Sequence, residues 1–308
     1  MFQSVTIFTL SALLSFLKNY TFNGIIRYKL YKGIYLDLEN YLINNIKTRF
    51  IGDDGAIVEK RVYAMDAFWE DTHFKKNWMS IEQIAYKAFM INLSDMVAMN
   101  ADTKYMLITV ALPQNFNEEK VNRLTNTFKE LAKSNNIEII GGDTIGSDKL
   151  GIVMTMIGDC KTPLTRDGIE DGDLLAFTGE LGSVKRDLDR LFDGERIPDS
   201  SKFYNPILRI DFTKAATPWL SAGMDISDGL YCDTNKLLKY NKLYLKELKP
   251  ISPEVGFSGE EYEMLIAFNP NNLSKIKRIA KITNTPITIF AQATSQKQEP
   301  YPCKSHHF

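Results

Sequence analysis

The sequence predicts an α/β protein of two domains, and two observations lead to this fold class. Apolar runs that suit strands alternate with amphipathic stretches that suit helices between residues 36 and 159. A polar, turn-rich segment at 159–173 then precedes a second series of apolar and amphipathic runs. We therefore place a domain boundary close to residue 160, with one domain at 36–159 and the other at 160–308.

The first elements follow from the spacing of their apolar residues. Residues 36–46 are amphipathic at helical spacing with acidic residues early, which predicts a short helix. Apolar runs at 56–58 and 61–65 flank a two-residue turn, which predicts a pair of strands. Residues 81–99 predict a long helix that is buried on one side. The strongly apolar run at 105–112 predicts a buried strand.

The following elements continue the alternation. The amphipathic run at 117–134 is charged on one face, which predicts an exposed crossover helix. We expect the next strand, at 138–140, to stop at Gly141-Gly142. A further strand is predicted at 150–158, and the second series of elements begins with a strand at 174–178.

The composition argues against two classes of partner. Lys and Arg number 37 and Asp and Glu 38, so the net charge of −1 gives no basic excess for nucleic acid. A hydrophobic fraction of 44% describes an ordinary globular protein with an ample core. Residues 1–17 are uncharged and apolar, but no basic stretch precedes them and they are short for a membrane span. We therefore expect neither a signal peptide nor a membrane anchor.

The cysteines and histidines favour a hard metal ion over a soft one. Cys160, Cys232 and Cys303 are widely spaced and odd in number, so we expect neither a disulfide framework nor a C-x-x-C metal site. This usage suits a reducing, cytoplasmic compartment. The three histidines are too scattered for a zinc site. Carboxylate sites for Mg²⁺, Mn²⁺ or Ca²⁺ are therefore favoured.

Five short segments present aspartates, mostly beside glycine or serine and at the ends of apolar runs. They contain Gly52-Asp53-Asp54, Asp66, Ser94-Asp95, Gly141-Gly142-Asp143 and Asp225-Ile226-Ser227-Asp228-Gly229. One such segment alone is more often an ordinary surface turn. A pocket formed by all of them would be strongly negative, so it should hold divalent cations and, through them, an anion. The set as a whole predicts Mg²⁺ sites of the kind used in phosphoryl transfer.

Three of these positions carry a more specific expectation. Asp95 lies in or at the end of an apolar helix, where an unpartnered carboxylate would be costly, so a paired or metal-bound state is favoured. Gly141-Gly142 would let the backbone approach a phosphate, although no Gly-Lys-Ser/Thr follows, so this is not a Walker loop. Arg166, in the polar segment at 159–173, is the best-placed basic residue for phosphate.

In order and spacing, these segments resemble the thiamine-monophosphate kinase family of the aminoimidazole ribonucleotide synthetase-like superfamily. The resemblance runs from about residue 36 to the C-terminus and is carried by Ile51-Gly52-Asp53-Asp54, Asp66 with His73-Phe74, Tyr86-Lys87-Ala88, Asn92-Leu93-Ser94-Asp95, Gly141-Gly142-Asp143-Thr144, Leu164-Thr165-Arg166-Asp167-Gly168, Met224-Asp225-Ile226-Ser227-Asp228-Gly229-Leu230 and Ser258-Gly259-Glu260-Glu261-Tyr262-Glu263.

The resemblance implies an architecture and an assembly. Family members have an N-terminal mixed sheet with helices, through which two copies form a homodimer, and a C-terminal α/β domain. Residues 1–35 have no counterpart, so we treat them as an atypical extension and expect translation to start near Leu36.

The resemblance also implies an activity and a division of roles. Family members transfer the γ-phosphate of ATP to thiamine monophosphate and form thiamine diphosphate. The ligands of several Mg²⁺ ions would be Asp54, Asp66, Asp95, Asp143, Asp225 and Asp228. The ATP contacts would be Gly142, Asp143, Arg166 and Ser227, and the substrate contacts would be His73 and Glu260. Tyr301 stands near the position of a substrate-stacking tryptophan, and Ala64-Met65 replace two hydroxyl residues before Asp66.

The implied reaction is a direct in-line transfer. The attacking phosphate oxygen of thiamine monophosphate is already largely ionised near pH 7, because its second pKa is about 6. We therefore expect no dedicated general base. Two alternatives stay open: a superfamily relative that uses ATP to activate an amide or formyl group, and a non-catalytic protein that binds Mg²⁺ and nucleotide.

Overall fold

A computed structural model of the chain describes residues 38–303. The predicted extension at 1–35 and the expected start near Leu36 lie outside these residues. The described residues form two five-stranded sheets with helices packed against them. The predicted α/β fold class with a mixed first sheet is confirmed. Between residues 38 and 303, no helix combines the length and the apolar character needed to span a membrane.

The first sheet, sheet A, is mixed. Its strands are β1 (Ala56–Val58), β2 (Arg61–Trp69), β3 (Asp102–Pro113), β4 (Glu138–Ser147) and β5 (Gly151–Asp159), in the order β1-β2-β5-β3-β4. The helices are α1 (Leu38–Ile46), α2 (Ile81–Ala98) and α3 (Glu118–Ser134). Strands β3 and β4 are parallel and the other pairs are antiparallel. Helix α3 connects β3 to β4, as a parallel pair requires.

Helix α2 is the central helix of the molecule. It begins with a capping box, in which the Ser80 side chain accepts from the Gln83 amide at 3.2 Å and the Gln83 side chain accepts from the Ser80 amide at 2.9 Å. Its middle packs in the core of sheet A, where Phe89 is fully buried. Its end packs in the core of the second sheet through Ala98. Helix α2 therefore links the two sheets.

Strand β4 corrects the prediction that the strand stops at Gly141-Gly142. It continues to Ser147, and the register to β3 shifts by one residue after Ile139, which is a β-bulge. Gly142 has φ of 158°, and a Cβ atom there would lie 1.8 Å from the carbonyl oxygen of Ile108. The missing side chain therefore permits close pairing of β4 with β3, and the segment is not a turn.

The second sheet, sheet B, is antiparallel throughout. Its strands are β6 (Leu174–Thr178), β7 (Ala222–Asp225), β8 (Tyr244–Glu247), β9 (Met264–Phe268) and β10 (Ile287–Thr294), in the order β7-β9-β6-β10-β8. The helices are α4 (Ser183–Phe192), α5 (Ile210–Ala216), α6 (Leu230–Tyr240), α7 (Pro253–Gly256) and α8 (Leu273–Ile282). Helix α6 packs on one face, and α5 and α8 pack on the other. All five residues of β9 are buried because both faces are covered.

Candidate active site

Three carboxylates from different parts of the chain converge between the sheets. The turn before β1 supplies Asp54, α2 supplies Asp95, and the end of β7 supplies Asp225. One ligand oxygen of each lies within 4.8 Å of the others, and we call these three residues the carboxylate group. Asp66, on β2, acts electrostatically on both Asp95 and Asp225. The structure thus brings together four of the six aspartates that were predicted as metal ligands.

The electrostatics of the carboxylate group suit a divalent cation. Burial, reinforced by Asp66, Asp225 and Asp54, raises the pKa of Asp95 well above its usual range. Burial and the charge of Asp54 likewise raise the pKa of Asp225. One oxygen of Asp54, Oδ2, is buried without a hydrogen-bond partner. An all-oxygen ligand set with excess negative charge and an unused buried oxygen fits Mg²⁺ or a similar hard cation.

The segment from Asn92 to Asp95 orients the carboxylate group. The Ser94 hydroxyl donates to Oδ2 of Asp225 at 2.6 Å. Oδ1 of Asn92 accepts from the Asp66 amide at 2.9 Å. Helix α2 therefore supplies the Asp95 carboxylate, fixes that of Asp225 and anchors the backbone of Asp66, and Asn92 and Ser94 are positioning residues that the predicted site did not include.

Arg166 lies against the carboxylate group. Its guanidinium forms an ion pair with Asp54, and its amide donates to Oδ1 of Asp53 at 2.7 Å. Its carbonyl accepts from Nδ2 of Asn241 at 2.7 Å. Asp53 thus braces its turn, whereas Asp54 faces the cluster. Nε of Arg166 is buried without a hydrogen-bond partner, so the guanidinium retains a donor next to the carboxylates.

The segment after β7 places Ser227 and Asp228 beside the carboxylate group without joining it. The Ser227 carbonyl accepts from the Glu260 amide at 2.7 Å. Asp228 forms an ion pair with Lys236, and its amide donates to Oδ2 of Asp233 at 3.0 Å. Burial raises the pKa of Asp233 to about 7. In this structure Asp228 therefore pairs with a lysine on α6.

Gly142 and Asp143 lie apart from the carboxylate group. Asp66 on β2 aligns with Gly142 through Met154 and Ile108, three strand spacings away, which is about 14 Å. Asp143 is the next residue along exposed β4, so its side chain points to the opposite face of sheet A from Asp66. Within one chain, the structure does not bring Asp143 to the predicted metal site.

The residues before Asp66 follow the same alternation. Ala64 is buried and shares a face with Asp66, whereas Met65 is 65% exposed on the other face. Ala64 and Met65 stand where the family has two hydroxyl residues. Of these two positions, only that of Ala64 lies on the same face of sheet A as Asp66.

His73 is held in the turn that follows β2. Its Nδ1 accepts from the Trp69 amide at 3.0 Å, and its own amide donates to the Trp69 carbonyl at 2.8 Å. Its ring lies 5.7 Å from that of Phe68. Because Nδ1 accepts, the neutral ring carries its proton on Nε2 and can donate from that atom.

Glu260 is paired with a lysine that the predicted site did not include. Nζ of Lys87 donates to Oε2 of Glu260 at 2.6 Å, and the Lys87 side chain is fully buried. Burial lowers the pKa of Lys87, and the charge of Glu260 opposes this shift. A lone lysine on the apolar face of α2 was the only sign of this pair in the sequence.

The two glutamates after Glu260 have structural partners. Glu261 accepts from the Gly182 amide at 2.6 Å and from Nζ of Lys202 at 2.8 Å. Glu263 accepts from the Arg209 guanidinium at 2.7 and 2.8 Å. Both glutamates are fully buried, so these contacts balance their charge and fix the segment that carries Glu260.

Tyr301 lies on α6, and the segment around it corrects the prediction about cysteines. Its ring stacks on that of Tyr231 with the centroids 4.3 Å apart, and its hydroxyl donates to Oε1 of Glu247 at 2.9 Å. The expectation was that the cysteines form no disulfide framework, but a single disulfide joins Cys232 to Cys303, 71 residues apart. The fold brings α6 and the end of the described chain together, and cysteine spacing alone does not reveal such proximity.

Comparisons with known proteins identify the family to which the chain is similar. Residues 52–160 match the family "AIR synthase related protein, N-terminal domain". The thiamine-monophosphate kinase of Leptospira interrogans is 34% identical over 74% of this chain and 81% of the relative. That of Aquifex aeolicus is 30% identical over 70% of this chain and 75% of the relative.

A solved structure shares the fold over nearly its whole length. The structure of AaThiL complexed with AMPPCP and TMP superposes with a TM-score of 0.75, covering 88% of this chain and 98% of that chain at 24% identity. At this identity the structural likeness shows the fold alone. The curated relatives are 30% and 34% identical over 70% and 74% of this chain, and on that basis the chain belongs to the thiamine-monophosphate kinase family.

Proposed function

We propose that the chain phosphorylates thiamine monophosphate with ATP and releases thiamine diphosphate and ADP. The observation that carries the proposal is the convergence of Asp54, Asp95 and Asp225 beside Arg166. This arrangement suits phosphoryl transfer, in which catalysis rests on positioning and charge stabilisation more than on covalent chemistry. The family membership supports the same reaction, because the relatives are thiamine-monophosphate kinases.

The residues that would hold Mg²⁺ are those of the carboxylate group together with Asp66. Asp228 would hold a further ion once its carboxylate leaves Lys236. When bound, Mg²⁺ neutralises phosphate charge and so reduces the repulsion between two polyanions. Arg166, whose side chain is 22% exposed, would donate from the exposed part of its guanidinium to the phosphates of ATP.

The transfer step needs no proton acceptor from the protein. A phosphate oxygen of thiamine monophosphate forms a bond to the γ-phosphorus, and the bond from that phosphorus to the bridging oxygen of ADP breaks. The nucleophile is already ionised near pH 7, so no general base is assigned. His73 would donate from Nε2 to the phosphate of the substrate. Glu260 would accept from its amino group or lie against its cationic ring.

Tyr301 is our proposed stacking residue for the substrate. One face of its ring is already stacked on Tyr231, so Tyr301 would present the other face to the substrate. The disulfide between Cys232 and Cys303 ties this segment to α6, which supports a fixed position for the ring.

We also propose that the chain forms a homodimer through sheet A. Strand β4 is an edge strand of ten residues, nine of them exposed, and Ile139, Ile140 and Ile145 are 38%, 49% and 47% exposed. A long exposed apolar edge is a template for pairing with another copy. Because Asp143 faces away from the carboxylate group of its own chain, we propose that Gly142 and Asp143 contact ATP in the site of the neighbouring copy.

One assay tests the reaction. The protein is incubated with ATP, Mg²⁺ and thiamine monophosphate, and the products are separated by chromatography. Thiamine diphosphate and ADP should form in equal amounts. Release of ADP without thiamine diphosphate would favour activation of an amide or formyl group, and an absence of turnover would favour a non-catalytic nucleotide-binding protein.

A subunit complementation test addresses the shared site. The variants Asp95→Asn and Asp143→Asn should each be nearly inactive alone. After mixing and exchange of subunits, a heterodimer should regain one intact site, because one copy retains Asp95 and its neighbour retains Asp143. Activity that does not rise on mixing, although light scattering shows that subunits have exchanged, would contradict a site shared between copies.

A further inference from the structure

Lys87 is a buried charge that the proposed reaction does not yet use. Its side chain has no exposed surface, and Nζ lies 2.6 Å from Oε2 of Glu260. Nζ also lies 3.7 Å from the ring centroid of Phe203 and 5.8 Å from that of Phe68, so two aromatic faces enclose the ammonium group. Burying a lysine is costly unless it is paired, so this position calls for an explanation.

Glu260 is held at both its backbone and its side chain. Its backbone is left-handed, with φ of 55°, and its amide donates to the Ser227 carbonyl at 2.7 Å. The side chain ends at Lys87 yet remains 24% exposed. A non-glycine residue in this backbone region is uncommon and persists where its surroundings hold it. The carboxylate is thus oriented by Lys87 while part of the side chain stays open to a ligand.

Helix α2 contacts both ends of the site. Ser94 bonds Asp225 of the carboxylate group, and Lys87 bonds Glu260. The two helix residues are seven positions apart, which is two turns on nearly the same face and about 10.5 Å along the axis. One rigid helix therefore sets the spacing between the carboxylate group and Glu260.

We propose that Lys87 is a positioning residue for substrate recognition. Its ion pair fixes the Glu260 carboxylate at a set distance from the carboxylate group, where phosphate would bind through Mg²⁺. The site therefore selects a phosphorylated cation whose length matches this distance, such as thiamine monophosphate. This inference rests on the proposed function. Lys87 acts only through Glu260 and does not touch the substrate, because its side chain is fully buried.

A purely structural ion pair would behave differently under substitution. It would lower the stability of the fold and affect both substrates alike. A positioning residue should weaken the binding of thiamine monophosphate and leave the binding of ATP unchanged. The discriminating measurement is therefore the affinity for each substrate separately, together with the KM values and kcat.

The first variant is Lys87→Met, with Lys104→Met as the matched control. Lys104 also pairs with a carboxylate, that of Asp102, but this pair is exposed. Calorimetry without ATP should show that Lys87→Met binds thiamine monophosphate about 10- to 100-fold more weakly than wild type. KM for ATP should stay within twofold, and Lys104→Met should match wild type in both. Unchanged affinity for thiamine monophosphate, or an equal loss for both substrates, would overturn the proposal.

A second comparison covers the case in which Lys87→Met does not fold. The double variant Lys87→Met/Glu260→Gln removes both charges of the pair, so no unpaired charge is buried. It should bind thiamine monophosphate as Glu260→Gln alone does. Binding more than threefold weaker than that of Glu260→Gln would show that Lys87 acts independently of Glu260 and would overturn the proposal.

The two levels of the hypothesis fail in different ways. If wild type binds thiamine monophosphate but forms no thiamine diphosphate, the proposed function fails and the affinity ratios still decide the role of Lys87. If wild type does not bind thiamine monophosphate at all, both are overturned.

Discussion

Replacing Asp95 with asparagine should stabilise the metal-free protein while it impairs the enzyme. The ligand oxygens of Asp54, Asp95 and Asp225 lie within 4.8 Å of one another. At an effective dielectric constant of about 20, two unit charges at that distance repel by about 3.5 kcal/mol. Burial first, and the neighbouring carboxylates second, raise the pKa of Asp95 and of Asp225, so proton uptake relieves part of this repulsion.

The net effect of Asp95→Asn is therefore smaller than the full repulsion. The substitution also removes the attraction between Asp95 and Arg166. We expect the free energy of unfolding in EDTA to rise by about 1–2 kcal/mol. In thermal unfolding this corresponds to an increase in Tm of a few degrees. The matched control is Asp148→Asn, an exposed aspartate whose substitution should leave Tm unchanged.

Mg²⁺ should reverse the order of the two proteins. Added Mg²⁺ should raise the Tm of wild type, because a ligand of the folded state stabilises it, and should raise that of Asp95→Asn much less. Turnover of the variant should fall by about 10²- to 10³-fold, the usual loss on removing one electrostatic contact to the transition state. A lower Tm in EDTA, an undiminished response to Mg²⁺ or near-normal turnover would each refute the assignment of Asp95 to a metal site.

Three further predictions test the fold around the site. Gly142→Ala should lower the free energy of unfolding by about 1–3 kcal/mol, because its Cβ would lie 1.8 Å from the Ile108 carbonyl oxygen. The control is Gly146→Ala, whose Cβ would meet nothing within 4 Å. Equal urea midpoints for these two variants would contradict the pairing of β4. Cys303→Ser should cost about 2–4 kcal/mol, since the disulfide spans 71 residues. A reducing agent should destabilise wild type but not this variant, and a wild-type protein insensitive to reduction would argue against the bond. Glu82→Gln should cost less than about 1 kcal/mol at pH 7, because the ion pair with Arg123 is nearly half exposed. The side-chain hydrogen bond from Arg123 lowers the pKa of Glu82 from 4.5 to about 2. The contribution of Glu82 to stability is therefore present above pH 4.5 and is lost as the pH falls towards 2. A stability difference between wild type and Glu82→Gln that stays constant from pH 7 to pH 3 would contradict this.

The sequence predicted elements whose hydrophobic pattern is long and regular. The helices predicted at 81–99 and 117–134 lie at Ile81–Ala98 and Glu118–Ser134. Helical periodicity over more than four turns explains the second. The expectation that the first is buried on one side was wrong, because twelve of its residues are buried around most of its circumference, between the two sheets. The strand predicted at 138–140 proved to be a ten-residue strand with a bulge. Local propensity assigns Gly141-Gly142 to a turn. Pairing with β3 instead requires a residue without a side chain at position 142, and this pairing is a tertiary interaction.

The candidate site was predicted unevenly for a physical reason. The family resemblance implied six aspartates as metal ligands, and the fold brings four of them together: Asp54, Asp66, Asp95 and Asp225. The resemblance gave no information on the face to which Asp143 points, because that face depends on strand register. It also missed the pair of Lys87 with Glu260, whose members are 173 residues apart.

By itself, the sequence determined the fold class, the order of the elements as far as β6 and the chemistry that the acidic segments can supply, because these depend on local periodicity and on residue type. Only the tertiary structure decided which aspartates meet, that Glu260 pairs with Lys87, and that Cys232 bonds to Cys303. Each of these contacts joins residues far apart in the chain. Their proximity follows from the packing of α2 against both sheets and of the C-terminal segment on α6, which no single segment encodes.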